Sequence, residues 1–322
     1  MIDPELAAYA DAMPVFELTD PEAARQGFES LLEGLNLEVP ESLGVRMEDH
    51  AVPGWEGDPE VAVRVYWPEQ AAAGALVPGI LQIHGGGFIV GSIDTENLGA
   101  AMLAAEVGAV VVSVEYRLAP EYPYPAAVHD CYAALRWLHE ESGALGVDAE
   151  RIAVLGASAG GGLAAATALL ARDLGGPSLC FQMLHIPELD DRLETPSMQA
   201  FVDSPVWNRP LAVQSWRAYL GELSGRDDVP AYAAPARAAD LRGLPPAYVS
   251  TAENDPLRDE GLLYGMRLLQ AGVSVELHQY PGTFHGSALV VTAAVSKRAR
   301  REATEVLRRV LGTDGVAGPD AA

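Results

Sequence analysis

The sequence predicts an α/β fold, with a mostly parallel central sheet carrying helices on both faces. The run RIAVLGASAGGGLAAATALLAR, Arg151 to Arg172, reads as strand, tight turn and helix. The C-terminal part repeats that alternation, with strands at Ala247 to Thr251 and Val273 to Tyr280, each followed by a helix, Leu257 to Gln270 and Ala288 to Leu311. Strand–helix units of this length are what a parallel sheet needs for its crossovers. The 322 residues, 49% of them hydrophobic, suffice for one large α/β domain with insertions or for two small ones.

Composition removes several function classes. A formal net charge of −24 at pH 7 is the opposite of a nucleic-acid-binding footprint, so no nucleic-acid partner is expected. Cys131 and Cys180 are the only cysteines, too few for a disulfide scaffold and without metal-ligand spacing, which favours reduced thiols. The opening MIDPELAAYADAM has neither a basic nor an apolar leader region, so cytoplasmic residence is the default. The uncharged stretches Ala71 to Ile93 and Ile152 to Ala171 are rich in Gly and Ala and read as buried strands and turns, so no membrane span is expected. Lys297, the only lysine, lies in the charged run SKRARRE, which leaves Schiff-base and phosphate-loop chemistry without a candidate.

Along the chain, Asp3-Pro4 and Asp20-Pro21 each place an N-cap before a proline at the first helical position, the second helix running to about Gly34. Val45 to Val52 and Val61 to Trp67 alternate apolar and polar residues around PGWEGDPE, as in a β-hairpin. Ile80 to Ile83 is a short strand feeding His84-Gly85-Gly86-Gly87-Phe88. Ala109 to Val114 is a buried strand, Ala126 to Glu140 a helix with an apolar stripe, and Leu179 to Ile186 another strand. From Pro187 to about Tyr232 the alternation stops: acidic turns and prolines lead to an aromatic helix through Trp216 and Tyr219, an insertion outside the sheet. The tail GTDGVAGPDAA is expected to be disordered.

Chemistry concentrates at Gly156-Ala157-Ser158-Ala159-Gly160. Small residues on both sides let strand and helix approach, and Ser158 at the apex must take a strained backbone conformation that lifts its hydroxyl clear of the sheet. Gly156, Gly160 and Gly162 also fit a GxxxGxG dinucleotide turn, but they lie mid-chain and no Tyr-x-x-x-Lys follows. A serine needs a base. Of seven histidines, His285 in YPGTFHGS follows the final strand, where a loop at the strand's carboxyl end would face Ser158. The carboxylate that orients the imidazole is best placed at Asp255 in TAENDPLRDEG. Asp255 can also be read as a plain N-cap before Pro256, and Glu253 and Asp259 are alternates. The three glycines after His84 expose amides without Cβ obstruction, so two of them can join the Ala159 amide at one oxygen.

HGGGF at His84 to Phe88, YRLAPEYPYPAA at Tyr116 to Ala127, GASAGG at Gly156 to Gly161, DPLRDEG at Asp255 to Gly261 and PGTFHG at Pro281 to Gly286 together resemble the hormone-sensitive-lipase-like (bacterial family IV) carboxylesterases. That resemblance implies an α/β-hydrolase fold with a helical cap. It assigns Ser158, Asp255 and His285 as a catalytic triad and Gly86, Gly87 and Ala159 as the oxyanion hole. The division that follows is 1–45 as N-terminal cap helices, 46–187 and 233–312 as the two parts of the core, 188–232 as the cap insertion and 313–322 as the tail. Three residues depart from the family pattern: Ala157 for Asp or Thr, His185 for Tyr, and Ser287 for an aromatic, the last expected to widen the pocket.

The expected activity is hydrolysis of short- to medium-chain carboxylic esters through an acyl-enzyme, with a small-molecule ester as substrate and no metal or organic cofactor. Phe88, Ile89, Trp207, Trp216 and Tyr219 are the candidate pocket walls. The alternatives are amide or carbamate hydrolysis by the same triad, and a non-catalytic ligand-binding protein of this fold, against which the presence of His285 argues. Family habit alone suggests a homodimer.

Overall fold

A computed structural model of the chain describes residues 1–13, 17–33, 38–69, 71 and 74–315. Its N-terminal helices are α1 (Pro4–Ala12) and α2 (Pro21–Glu33). As expected, Asp3 caps α1 by accepting the Glu5 amide, and Asp20 accepts the Ala23 amide at the start of α2. Gly34 lies outside the described residues.

An antiparallel hairpin follows, β1 (Val45–Val52) and β2 (Val61–Pro68), with Val52 opposite Val61. The central units are β3 (Val77–Ile83), α3 (Asn97–Val107), β4 (Val110–Glu115), α4 (Ala126–Glu140), α5 (Ser142–Leu145), β5 (Val147–Ala157) and α6 (Ala159–Leu174). After β6 (Phe181–His185) the insertion carries α7 (Pro196–Ala200) and α8 (Arg209–Leu220) and adds no strand. The chain closes with β7 (Ala247–Asn254), α9 (Arg258–Gln270), β8 (Val275–Phe284) and α10 (Ala294–Leu311).

These strands form one eight-stranded sheet in the order β1-β2-β4-β3-β5-β6-β7-β8. β2 runs antiparallel to β1 and β4, and every pairing from β4 to β8 is parallel. The inner strands are apolar on both faces because helices cover both: Val110 to Val112 and Ile152 to Val154 are fully buried. The α/β-hydrolase architecture expected from the motifs is the one observed. The order of the parallel strands sends the carboxyl ends of β3, β5, β7 and β8 to the same edge of the sheet. Ligands of such sheets bind outside those ends.

The N-terminal helices reach this edge by separate routes. The Asp3 amide donates to the Gly282 carbonyl at 2.9 Å, and Leu6 packs with Phe284, Val290 and Ala293. Arg25 of α2 donates to the Ile89 and Ala119 carbonyls, and the Leu18 amide donates to Gln214 Oε1 on α8 at 2.8 Å.

Expectations change at the last helix and at the tail. The last helix begins at Ala294, not Ala288: a 3-10 turn, Ser287–Leu289, follows Gly286, and the β-branched run Val290-Val291-Thr292 separates it from α10. The tail is held at its start, because the Thr313 amide donates to the Arg308 carbonyl at 2.8 Å and Thr313 is buried. Residues 316–322 lie outside the described residues.

Candidate active site

Ser158 stands between β5 and α6 with φ 57° and ψ −125°. That conformation costs about 1–3 kcal/mol for a residue with a Cβ, and it persists only where surroundings impose it. Here they do. The Ser158 amide donates to the His185 carbonyl at 2.9 Å, and the Ser158 carbonyl accepts the amides of Gly162 and Glu188, both at 3.0 Å. Position 160 must be glycine for the same turn to close, since a Cβ there would stand 2.2 Å from the Ile83 carbonyl oxygen.

The Ser158 hydroxyl donates to His285 Nε2 at 2.9 Å, and His285 Nδ1 donates to Asp255 Oδ2 at 2.8 Å. All three side chains are buried. His285 is the first residue beyond β8, so the strand that expectation ended at Tyr280 runs four residues further and delivers the imidazole directly. Asp255 meets the imidazole but is not the N-cap that sequence also allowed, since α9 begins at Arg258 with Leu257 at its N-cap position. Its Oδ1 accepts the Leu257 amide at 2.9 Å, opening the turn into α9, while Oδ2 holds the imidazole. Both alternates are committed elsewhere: Glu253 Oε2 accepts the Gly282 amide and Asp259 Oδ2 the Ser197 amide, each at 2.7 Å.

The glycine loop leaves β3 alongside the Ser158 turn, with Gly85 against the Ala157 carbonyl. Gly86 has φ +121° and Gly87 φ +56°, and a Cβ at position 86 would stand 2.0 Å from the Val90 carbonyl oxygen. The Gly86 carbonyl is pinned by the Ile89 and Val90 amides, both at 3.0 Å. The amides of Gly86 and Gly87 donate to no protein acceptor among the described residues. Ala159 is the first residue of α6, where an amide has no intrahelical acceptor. Below the loop the His84 ring stacks on Tyr116 with centroids 4.1 Å apart, and the Tyr116 hydroxyl donates to the His84 carbonyl at 3.0 Å. Burial pulls the His84 imidazole down to about 4.

The candidate wall residues separate into groups. Trp207 lies over the site, its ring centroid 5.7 Å from that of His285. Phe88 stacks on Tyr219 at 4.0 Å and tilts against Trp216 at 5.5 Å, an aromatic cluster joining the glycine loop to α8. Ile89 is fully buried, with its carbonyl held by Arg25. Ser287 is buried too, and its Oγ accepts the Phe284 amide at 3.3 Å within its own turn.

Two residues beside the site went unread in the sequence. Glu188, in the acidic turn after β6, is fully buried, and burial pushes its carboxyl up to about 8. Ser215 of α8 lies within hydrogen-bond distance of both Glu188 Oε1 and the Gly87 carbonyl. An isolated Glu in an acidic run and a Ser on a helix carry no sequence signal; only their meeting distinguishes them.

Among the described residues, no group of three or more His, Cys, Asp or Glu side chains is arranged to hold a metal ion, and no helix is long and apolar enough to cross a membrane. The family model described as "alpha/beta hydrolase fold" matches residues 80–289, the stretch that runs from the glycine-loop strand past His285. The chain belongs to this α/β-hydrolase family. Within it, the hormone-sensitive-lipase-like resemblance read from the motifs holds. Carboxylesterase NlhH of Mycobacterium tuberculosis is 44% identical over 306 residues, 93% of each chain. An arylesterase of Saccharolobus solfataricus is 39% identical over 75% of this chain and 74% of its own. Among solved structures, a bacterial heroin esterase is 53% identical with a TM-score of 0.93, covering 96% of this chain and 98% of its own.

Proposed function

We propose that this carboxylic ester hydrolase is a serine esterase that cleaves short- to medium-chain esters through an acyl-enzyme on Ser158. The unbroken line from Ser158 through His285 to Asp255, at 2.9 and 2.8 Å, carries the reading. In the first step Ser158 Oγ attacks the ester carbonyl as His285 Nε2 takes its proton. Asp255 holds the proton on Nδ1, which fixes the tautomer and stabilises the imidazolium. The amides of Gly86, Gly87 and Ala159 receive the charge developing on the carbonyl oxygen, each such donor being worth about 3 kcal/mol in the transition state. His285 then protonates the departing alkoxide, and a water deprotonated by the same imidazole releases the acid.

The helices of 1–45 and the insertion 188–232 form the cap in this reading, supported by the Leu18–Gln214 link between them. Trp207 beside His285 limits the room for a long acyl chain. A reducing compartment such as the cytoplasm suits the two free thiols, Cys131 and Cys180.

The test is a panel of p-nitrophenyl acetate, hexanoate and decanoate with the matching p-nitroanilides, run on the wild type and Ser158→Ala. Acetate and hexanoate should turn over faster than decanoate and the anilides more slowly than their esters. Ser158→Ala should lose on the order of 10⁴-fold or more in kcat. Turnover that survives in Ser158→Ala removes the nucleophile assignment; preference for anilides would make the protein an amidase.

A further inference from the structure

Behind the oxyanion loop three oxygens stand in line, and proton counting constrains them. Ser215 Oγ is 3.0 Å from the Gly87 carbonyl oxygen and 3.1 Å from Glu188 Oε1. A hydroxyl has one proton to donate. A carbonyl only accepts, and so does an ionised carboxylate. Each contact can therefore have a proton of its own only when Glu188 is protonated and donates to Ser215; otherwise the two must share one.

The surroundings favour that proton. Glu188 and Ser215 are both fully buried, and Glu188 Oε2 has no partner among the described residues, which costs far less for a neutral C=O than for a carboxylate. The groups facing Glu188 are anionic or neutral: Asp255 beyond β7, Glu260 on α9, and Tyr219 with Ser215 on α8. Glu260 is spent on the Leu189 and Asp190 amides and is itself driven toward protonation by burial, while Asp255 is spent on His285 and Leu257. Among the described residues, the side chains that act on Glu188 are Ser215 and Asp255, neither of them a cation.

We propose that Glu188, in its protonated form, is a positioning residue for the oxyanion loop. It donates to Ser215 Oγ, and Ser215 donates to the Gly87 carbonyl. This relay fastens the cap helix α8 to the loop and keeps the loop amides aimed at Ser158. The proposal rests on the serine-esterase reading. When Glu188 ionises, the Ser215 proton turns to the carboxylate, the Gly87 carbonyl loses its donor, and the loop loosens. Since burial places that ionisation near pH 8, kcat should fall on the alkaline side while KM changes little.

The experiment measures kcat and KM for p-nitrophenyl hexanoate from pH 6 to 10 in the wild type, Glu188→Gln, Glu188→Ala and Ser215→Ala, with Ser158→Ala as blank. Gln supplies a permanent donor to Ser215. Glu188→Gln is expected to stay within about threefold of wild-type kcat at pH 7 and to lack the alkaline decline. Glu188→Ala and Ser215→Ala should lose about tenfold or more in kcat across the range. The proposal is overturned if the wild type shows no alkaline decline, if Glu188→Gln keeps the same decline, or if it is as impaired as Glu188→Ala at pH 7. Should Glu188→Ala not fold, the Glu188→Gln profile decides by itself. Failure of the serine reading shows separately, as turnover in the Ser158→Ala blank.

Discussion

Trp207 packs directly over Gly87: a Cβ built at position 87 would stand 2.6 Å from Cη2 of the indole. The glycine loop thus has no room for a side chain on the face it turns toward Trp207. Gly87→Ala should suffer twice, from about 1–2 kcal/mol for an L-residue at φ +56° and from displacement of Trp207. We expect kcat to drop on the order of 10²-fold through misdirected amides. Adding Trp207→Ala should restore part of that loss, so the double variant should be more active than the two single effects summed. Strict additivity would mean that the two positions do not interact.

Trp207 by itself should set acyl size. Its ring stands beside His285, so Trp207→Ala opens space next to that imidazole. The ratio of kcat/KM for p-nitrophenyl decanoate to that for the acetate should rise about tenfold or more, each buried methylene being worth up to ~0.8 kcal/mol. An unchanged ratio would place the acyl chain elsewhere.

Asp255→Asn separates tautomer control from structure. Asn keeps an acceptor for the Leu257 amide, so the turn into α9 survives, but its NH₂ would favour the imidazole tautomer with the proton on Nε2. A fall of about 10⁴-fold in kcat with unchanged circular dichroism is the expected pair of results. Activity within tenfold of wild type would disqualify Asp255 as the orienting carboxylate.

His84 makes the fold acid-sensitive. Its folded value of about 4 lies below the ordinary value of ~6.5, so the unfolded chain binds more protons between those limits. Stability is therefore fully present above pH ~6.5 and is lost as pH falls toward 4. In urea titrations, the advantage of the wild type over His84→Gln should shrink on the order of 1–2 kcal/mol between pH 7 and pH 5. An equal gap at both pH values would show that His84 does not titrate in this way.

Much of this site is legible in the sequence because its parts are local. The Ser158 turn is announced by small residues that permit a positive φ, the loop by three consecutive glycines, and the strands by apolar β-branched runs. The motif order then brings Asp255 and His285 into place. The start of α10 was not legible, because the helical pattern running back to Ala288 hides the 3-10 turn and the β-branched break that follow Gly286.

The amino-acid sequence by itself determined the α/β class, the strained Ser158 turn and which serine, histidine and aspartate meet in one hydrogen-bonded line, since each depends on backbone sterics and chain order. Tertiary structure alone decided what stands behind and above that machinery. Trp207 meets Gly87, and Ser215 reaches Gly87 across 128 residues and Glu188 across 27, because the insertion folds back over the sheet edge. Contacts between segments so far apart leave no periodicity or spacing in the chain. Their physical content, crowding over one glycine and a shared proton among three oxygens, exists only where the packed surfaces meet.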